Sequence, residues 1–368
     1  MKLDPTKFKY GIEHEFPCIK NGAFVDFSTA TFESLNEVID ILPVYESDYA
    51  TLRIGDLGIK KKRWYIEGFE RFSKTGEYLY TAIKGFEIRT PVASSIDEAV
   101  TTLQDSFSLW KKEAKKYGYI SATTAFNPFR TAFIPEPVLN EWEIAARHSP
   151  EEQTAFMHML TYGPDVSFSH PDLTTEQIIA IGKKLTYYSP FIVPFSFSSP
   201  FFNNALWEGL SYRTYYRTGK RPACMVFVKH DEELLKTVPT LTEKARLPSE
   251  VGRIEFKAFD TIEDVTLYGS LLALVVGIAM DETLPGSAST PDEKMHKQSA
   301  LRGFADESIY QEALRVFEAA IAVVPLELKE KIEVLRPMLD LRRTPADSMV
   351  EEYNSGKSII EIITHNYE

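Results

Sequence analysis

Gly11-Ile12-Glu13-His14-Glu15-Phe16 sets two carboxylates at alternate positions and apolar or aromatic groups between them. In an extended strand, side chains alternate between faces, so Glu13 and Glu15 share one face while Ile12, His14 and Phe16 share the other. Three further segments repeat the pattern: Phe86-Glu87-Ile88-Arg89, Asp165-Val166-Ser167-Phe168, and Arg253-Ile254-Glu255-Phe256-Lys257. Together they pair Glu87 with Arg89, Asp165 with Ser167, and Glu255 with Arg253 and Lys257. If these faces line one cavity, that cavity is rich in carboxylates and has cations beside them. Such a site suits divalent metal and phosphate chemistry, because hard cations take oxygen ligands and bridge them to phosphate oxygens.

Each segment also has a plainer reading. Glu13 and Glu15 could form an exposed acidic edge, Glu87 with Arg89 a surface ion pair, and the Arg253 strand a surface salt-bridge ladder. His14 falls on the apolar face and reads as a core histidine rather than a ligand.

The chain has 368 residues, 44% hydrophobic and 26% charged, with a formal net charge of -12. That length supports a large core. The acidic balance argues against duplex nucleic acid or an anionic membrane as partner, and leaves small molecules as the expected ligands. A homo-oligomer is compatible with the composition. Two cysteines, Cys18 and Cys224, are too few for a disulfide framework or structural zinc and read as core thiols of a reducing compartment. The first ten residues lack the apolar stretch of a secretory signal, and Leu267 to Met280 is too short to span a bilayer, so a cytoplasmic protein is expected.

Outward from the four segments, Arg63–Glu67 and Tyr78–Ile83 flank the turn-like Ser73-Lys74-Thr75-Gly76 and predict a long hairpin running into Glu87. The sheet is therefore expected to be antiparallel. Ser95 with Glu98 opens a helix carrying Ile96, Ala99, Val100, Leu103, Phe107 and Trp110. Thr174 with Gln177 opens a second, expected behind the Asp165 strand. Asp281 to Gln298 reads as a long loop, and Glu307–Val324, Leu326–Leu339, Ala346–Tyr353 and Ser358–Thr364 as a helical layer. Gly-rich phosphate loops, H-E-x-x-H and G-x-S-x-G are all missing from the sequence, leaving oxygen-ligand metal chemistry.

In this order the segments resemble the glutamate–cysteine ligase type 2 and carboxylate–amine ligase family, related to glutamine synthetase. The matching pieces are Gly11–Phe16, Glu87–Val92, Thr161–Phe168, Ser198–Phe202 with Ser211-Tyr212-Arg213, and Gly252–Thr261. The resemblance runs from about residue 8 to residue 305. It implies an α+β, glutamine synthetase-like fold: a strongly curved antiparallel sheet flanked by helices. A catalytic domain would occupy residues 1–305, with residues 306–368 a helical C-terminal extension packed on it.

The implied reaction uses ATP and magnesium. ATP phosphorylates a substrate carboxylate, typically the γ-carboxylate of glutamate, and an amine then displaces the phosphate to give an amide. By position, the resemblance makes Glu13, Glu15, Glu87, Asp165 and Glu255 metal ligands. Arg213, Arg253 and Lys257 become the catalytic cations on substrate and phosphate, and Arg89, Ser211 and Arg302 contact the nucleotide. Two departures stand out. Asp165-Val166-Ser167-Phe168 replaces the family's H-V-H-V, and Lys257 stands where the family has arginine, keeping the charge but losing the bidentate fork. Related guanidino-kinase chemistry and a nucleotide-binding relative without turnover are the alternatives.

Overall fold

A computed structural model describes residues 3–52 and 62–365. Seven strands form its main sheet: β1 (Lys9–Phe16), β2 (Trp64–Phe72), β3 (Tyr78–Arg89), β4 (Pro164–Ser169), β5 (Cys224–Val228), β6 (Thr242–Lys244) and β7 (Ile254–Phe256). Their order across the sheet is β6-β5-β7-β4-β1-β3-β2, antiparallel throughout except for the parallel pair β5–β6. The sheet curls into a half-barrel, an α+β architecture of the glutamine synthetase-like type.

The predicted hairpin is present as β2 and β3, and the Glu87–Arg89 segment is the last turn of pleat in β3. The pairing of β2 and β3 shifts register at Glu67/Gly68. Gly68 is required there, since a Cβ would lie 2.4 Å from the Ala82 carbonyl oxygen. Such a shift increases local twist and helps a sheet curl.

One face of the sheet is apolar. Ile12, Phe16, Phe86, Ile88, Val166, Phe168, Val226, Ile254 and Phe256 are buried in a single large core. Helices α1 (Ile96–Lys115), α2 (Thr175–Ile192) and α3 (Leu267–Met280) cover that face. Both expected helix starts are present: Ser95 Oγ accepts from the Glu98 N–H, and Thr174 and Gln177 form a reciprocal capping box. Cys18 and Cys224 are free buried thiols, as read from the sequence. His14 is buried on the core side, 3.0 Å from the Tyr268 hydroxyl.

Three expectations need correction. Helix α2 packs behind β5 and β7, and it is α3 that backs the Asp165 strand. The α3 sequence is apolar all round, so it fills the centre of the core where two layers meet. The expected loop from Asp281 to Gln298 ends early, because Asp292 caps a helix at Glu293–Arg302 by accepting from the Met295 N–H. The expected helix Leu326–Leu339 is two, Leu326–Glu333 and Arg336–Asp340, with Pro337 in the first turn of the second, where its missing N–H costs no helical bond.

Beyond residue 306 the helices pack into the same core through Ile309, Phe317, Ile332 and Leu339. Among the described residues, no helix is long and apolar enough to cross a membrane.

Candidate active site

The second face of the sheet, together with the segment Pro150–His158 and the helix Tyr212–Arg217, encloses a cavity of about 320 Å³. Sheet register explains how distant segments meet there. Glu13 stands opposite Arg89 on β3 and Asp165 on β4, Glu15 stands opposite Glu87, and Glu255 stands opposite Ser167. All five carboxylates singled out in the sequence line the cavity, as do Arg89, Arg213, Arg253 and Lys257.

The carboxylates fall into two groups. Glu13, Asp165 and Glu255 present oxygens within 4.8 Å of one another. Lys257 Nζ contacts both Asp165 and Glu255, the latter at 2.6 Å, while Arg253 lies 3.1 Å from Glu255 and 3.8 Å from Glu13. The second group joins Glu15 to two residues without a place in the four-segment pattern, Glu67 and His158. Beneath it lies Lys84, fully buried, 2.8 Å from Glu15 and 3.8 Å from Glu67. In a neutral His158 ring, Nε2–H donates to Glu67, and the Lys84 ammonium lies against the ring edge, 3.0 Å from Nε2 and 3.4 Å from Nδ1.

Burial and mutual repulsion shape the charges. Burial, reinforced by Glu255 and Asp165, pushes Glu13 up to about 7. Burial with Glu67 and Glu13 beside it raises Glu87 well above the carboxylate range, and Asp165 is raised by burial despite Lys257. For Glu255 burial is more than offset by Arg253 and Lys257, which hold it at about 2. Glu15 and Glu67 are likewise held low against burial by the neighbouring Lys84 and His158. His158 is lowered, first by burial and then by Lys84, which favours the neutral ring.

Two of the sequence candidates stand apart. Ser211 is fully buried, its hydroxyl caps the helix Tyr212–Arg217 by accepting from Thr214, and it does not line the cavity. Arg302 ends the helix Glu293–Arg302, also away from the cavity lining. Arg213 reaches the cavity, but its guanidinium donates to the Ala258 and Lys257 carbonyls at 3.0 and 3.2 Å and faces Asp260 at 3.6 Å.

Comparison with solved structures identifies the fold of this curled sheet. The chain has the glutamine synthetase-like ligase fold. It is similar to a bifunctional glutathione synthetase from Pasteurella multocida, with a TM-score of 0.57 at 12% identity over 98% of this chain and 52% of the other. It is also similar to a glutamate–cysteine ligase from Francisella tularensis in complex with AMP, with a TM-score of 0.55 at 12% identity over 99% of this chain and 89% of the other. The chain thus spans about half the length of the bifunctional enzyme. No family profile and no curated protein matches the sequence.

Glu67 and His158 are the members of the two acidic groups that sequence reasoning missed. Glu67 carried a usable signal: it shares a face of β2 with Tyr65, and the predicted hairpin sets that strand beside β3. His158 had none, because it lies on a short helical turn, Ala155–His158, where no period-2 pattern applies.

Proposed function

We propose that the chain is an ATP-dependent carboxylate–amine ligase. The observation that carries this reading is one cavity holding two acidic groups, each paired with buried or half-buried cations, on the inner face of a ligase fold. The donor sets fit divalent cations: carboxylates and an imidazole converge within 4.8 Å, and Glu13, Glu87 and Asp165 carry a repulsive charge burden that a cation relieves. Glu15, Glu67 and His158 would hold one such ion, and Glu13, Asp165 and Glu255 another. When bound, magnesium supplies neutralisation of the nucleotide phosphate oxygens.

The chain's own residues account for the rest. A substrate carboxylate oxygen attacks the terminal phosphorus of ATP, the bridging P–O bond breaks, and ADP leaves. Arg253 and Lys257, which flank β7 at the cavity, would hold the phosphoryl oxygens during that transfer. An amine then attacks the acyl carbon, a C–N bond forms, and the C–O bond to phosphate breaks with loss of an amine proton. Glutamate as the acid and cysteine as the amine are the leading pair.

Purified protein given ATP, magnesium, glutamate and a panel of amino acids should release ADP only when acid and amine are both present, and hydroxylamine should trap a hydroxamate. A folded sample that releases no ADP with any pair overturns the reading. One observation favours a second reading, a nucleotide-binding relative without turnover: the Lys257 ammonium is already held between Asp165 and Glu255. In that case ADP binds and no amide forms.

A further inference from the structure

The two departures from the ligase-family pattern, Asp165 in its strand and Lys257 in place of an arginine, meet in the structure. The Lys257 ammonium bridges Asp165 to Glu255, 2.6 Å from the Glu255 carboxylate. Those two carboxylates and Glu13 are one of the acidic groups of the cavity, with oxygens within 4.8 Å of one another. Lys257 thus serves as the cation of a donor set that fits a divalent ion. Lysine suits that place better than arginine, because its charge is a compact point and a guanidinium is a broad planar fork.

The backbone at this position is fixed and the side chain is not. The Lys257 N–H donates to the Ala223 carbonyl at 2.8 Å, and the Lys257 carbonyl accepts from Arg213 Nη2 at 3.2 Å. The side chain lines the cavity and is 18% exposed, whereas Lys84, the ammonium of the other acidic group, lies beneath the floor with 1% exposed. Lys257 therefore has open cavity to swing into by rotation of its flexible stem, and Lys84 does not. Arg253 reaches the same group from another side, 3.1 Å from Glu255 and 3.8 Å from Glu13, so Glu255 keeps a cationic partner when Lys257 leaves.

We propose that Lys257 competes with a divalent ion for Glu13, Asp165 and Glu255, so that the ion enters this group only as the ammonium swings out into the cavity. A unit positive charge left among the carboxylates repels an arriving dication at contact distance, and the two cannot share the same oxygens. Asp165 and Lys257 act as a pair in the exchange, since Asp165 both holds the lysine and is a ligand that the ion takes over. Only the consequence rests on the ligase reading: the released ammonium, still at the cavity wall, becomes free for phosphoryl oxygens once the ion is in place.

Calorimetric titration of the full chain with Mn2+, without nucleotide or substrate, tests the exchange apart from turnover. Lys257→Met should tighten Mn2+ binding at this group by about 10- to 100-fold over wild type, as expected for removing a unit charge in contact with the ligands. Adding Asp165→Asn to Lys257→Met should cancel the gain, which assigns it to this group. Arg253→Met removes an equal charge set farther from the ligands and should tighten binding less. Should the methionine variant not fold, Lys257→Gln replaces it with the same expectation. Lys257 variants that bind Mn2+ as wild type or more weakly, a gain that survives Asp165→Asn, or an equal gain from Arg253→Met overturns the proposal. The gain in Lys257→Met together with a wild type that forms no amide leaves the exchange standing and removes the ligase reading, and amide formation without the gain does the reverse.

Discussion

Lys84 Nζ lies 2.8 Å from Glu15 Oε2, with the lysine fully buried under the cavity floor. The ammonium acts as a built-in counter-ion for Glu15 and Glu67. Lys84→Met removes it and leaves two close carboxylates without their partner, which should destabilise the metal-free protein by about 3–5 kcal/mol. Manganese should raise the melting temperature of the variant more than that of wild type, since the ion replaces the missing charge. A variant that melts like wild type without metal would contradict this role.

Glu13 is raised to about 7 from an ordinary value of 4.5, so the folded protein holds a proton there that the unfolded chain has released. Stability from this group is therefore present at low pH and lost as pH rises from about 4.5 through 7. Glu13→Gln abolishes that loss, and because the side chain is 30% exposed the gain at pH 8 should be modest, about 1 kcal/mol. Turnover should fall at least about 100-fold, as for loss of a ligand to the ion that neutralises the transferring phosphate. Denaturant melts at pH 5 and pH 8, with an ADP-release assay, check both.

Gly163 sits where a Cβ would lie 2.3 Å from Arg213 Nη2 and 2.4 Å from the Phe259 carbonyl oxygen. Gly163→Ala should cost about 1–3 kcal/mol through overpacking and displace the Arg213 guanidinium. Since that guanidinium lines the cavity, ADP affinity or KM should change along with the melting temperature. A stability loss with binding parameters unchanged would limit Arg213 to a structural role.

His296 is buried, its Nδ1 donating to the Asp292 carbonyl at 2.9 Å and its Nε2 lying 3.0 Å from Ser189 Oγ. Burial lowers it to about 4 from 6.5. The unfolded chain then binds the extra proton first, so stability is full above about pH 6.5 and declines as pH falls toward 4. Acidification from pH 7 to pH 5 should cost about 2 kcal/mol through this residue. His296→Gln should flatten that part of the pH–stability curve, as followed by urea melts.

Much of the sheet was legible because strand alternation is local. Glu13, Glu15, Glu87, Asp165 and Glu255 were each assigned to a polar face from their own neighbours, and each lines the cavity. Helix starts at Ser95 and Thr174 were legible for the same reason, since a cap is made by residues three apart. Ser211 and Arg302 were placed by resemblance, without a local pattern to fix their direction, and both lie away from the cavity lining.

The sequence alone determined the strand faces, the helix caps and the absence of phosphate-loop motifs, all consequences of spacing within a few residues. Only the tertiary structure decided that the acidic faces divide into two clusters, because that depends on cross-strand register between segments about 70 to 160 residues apart. It also decided that Glu67, His158, Arg217 and Arg221 line the cavity and that Lys84 lies beneath it. Lys84 looks like any strand lysine in the sequence; burial between Glu15 and Glu67 gives it a role that no local pattern carries.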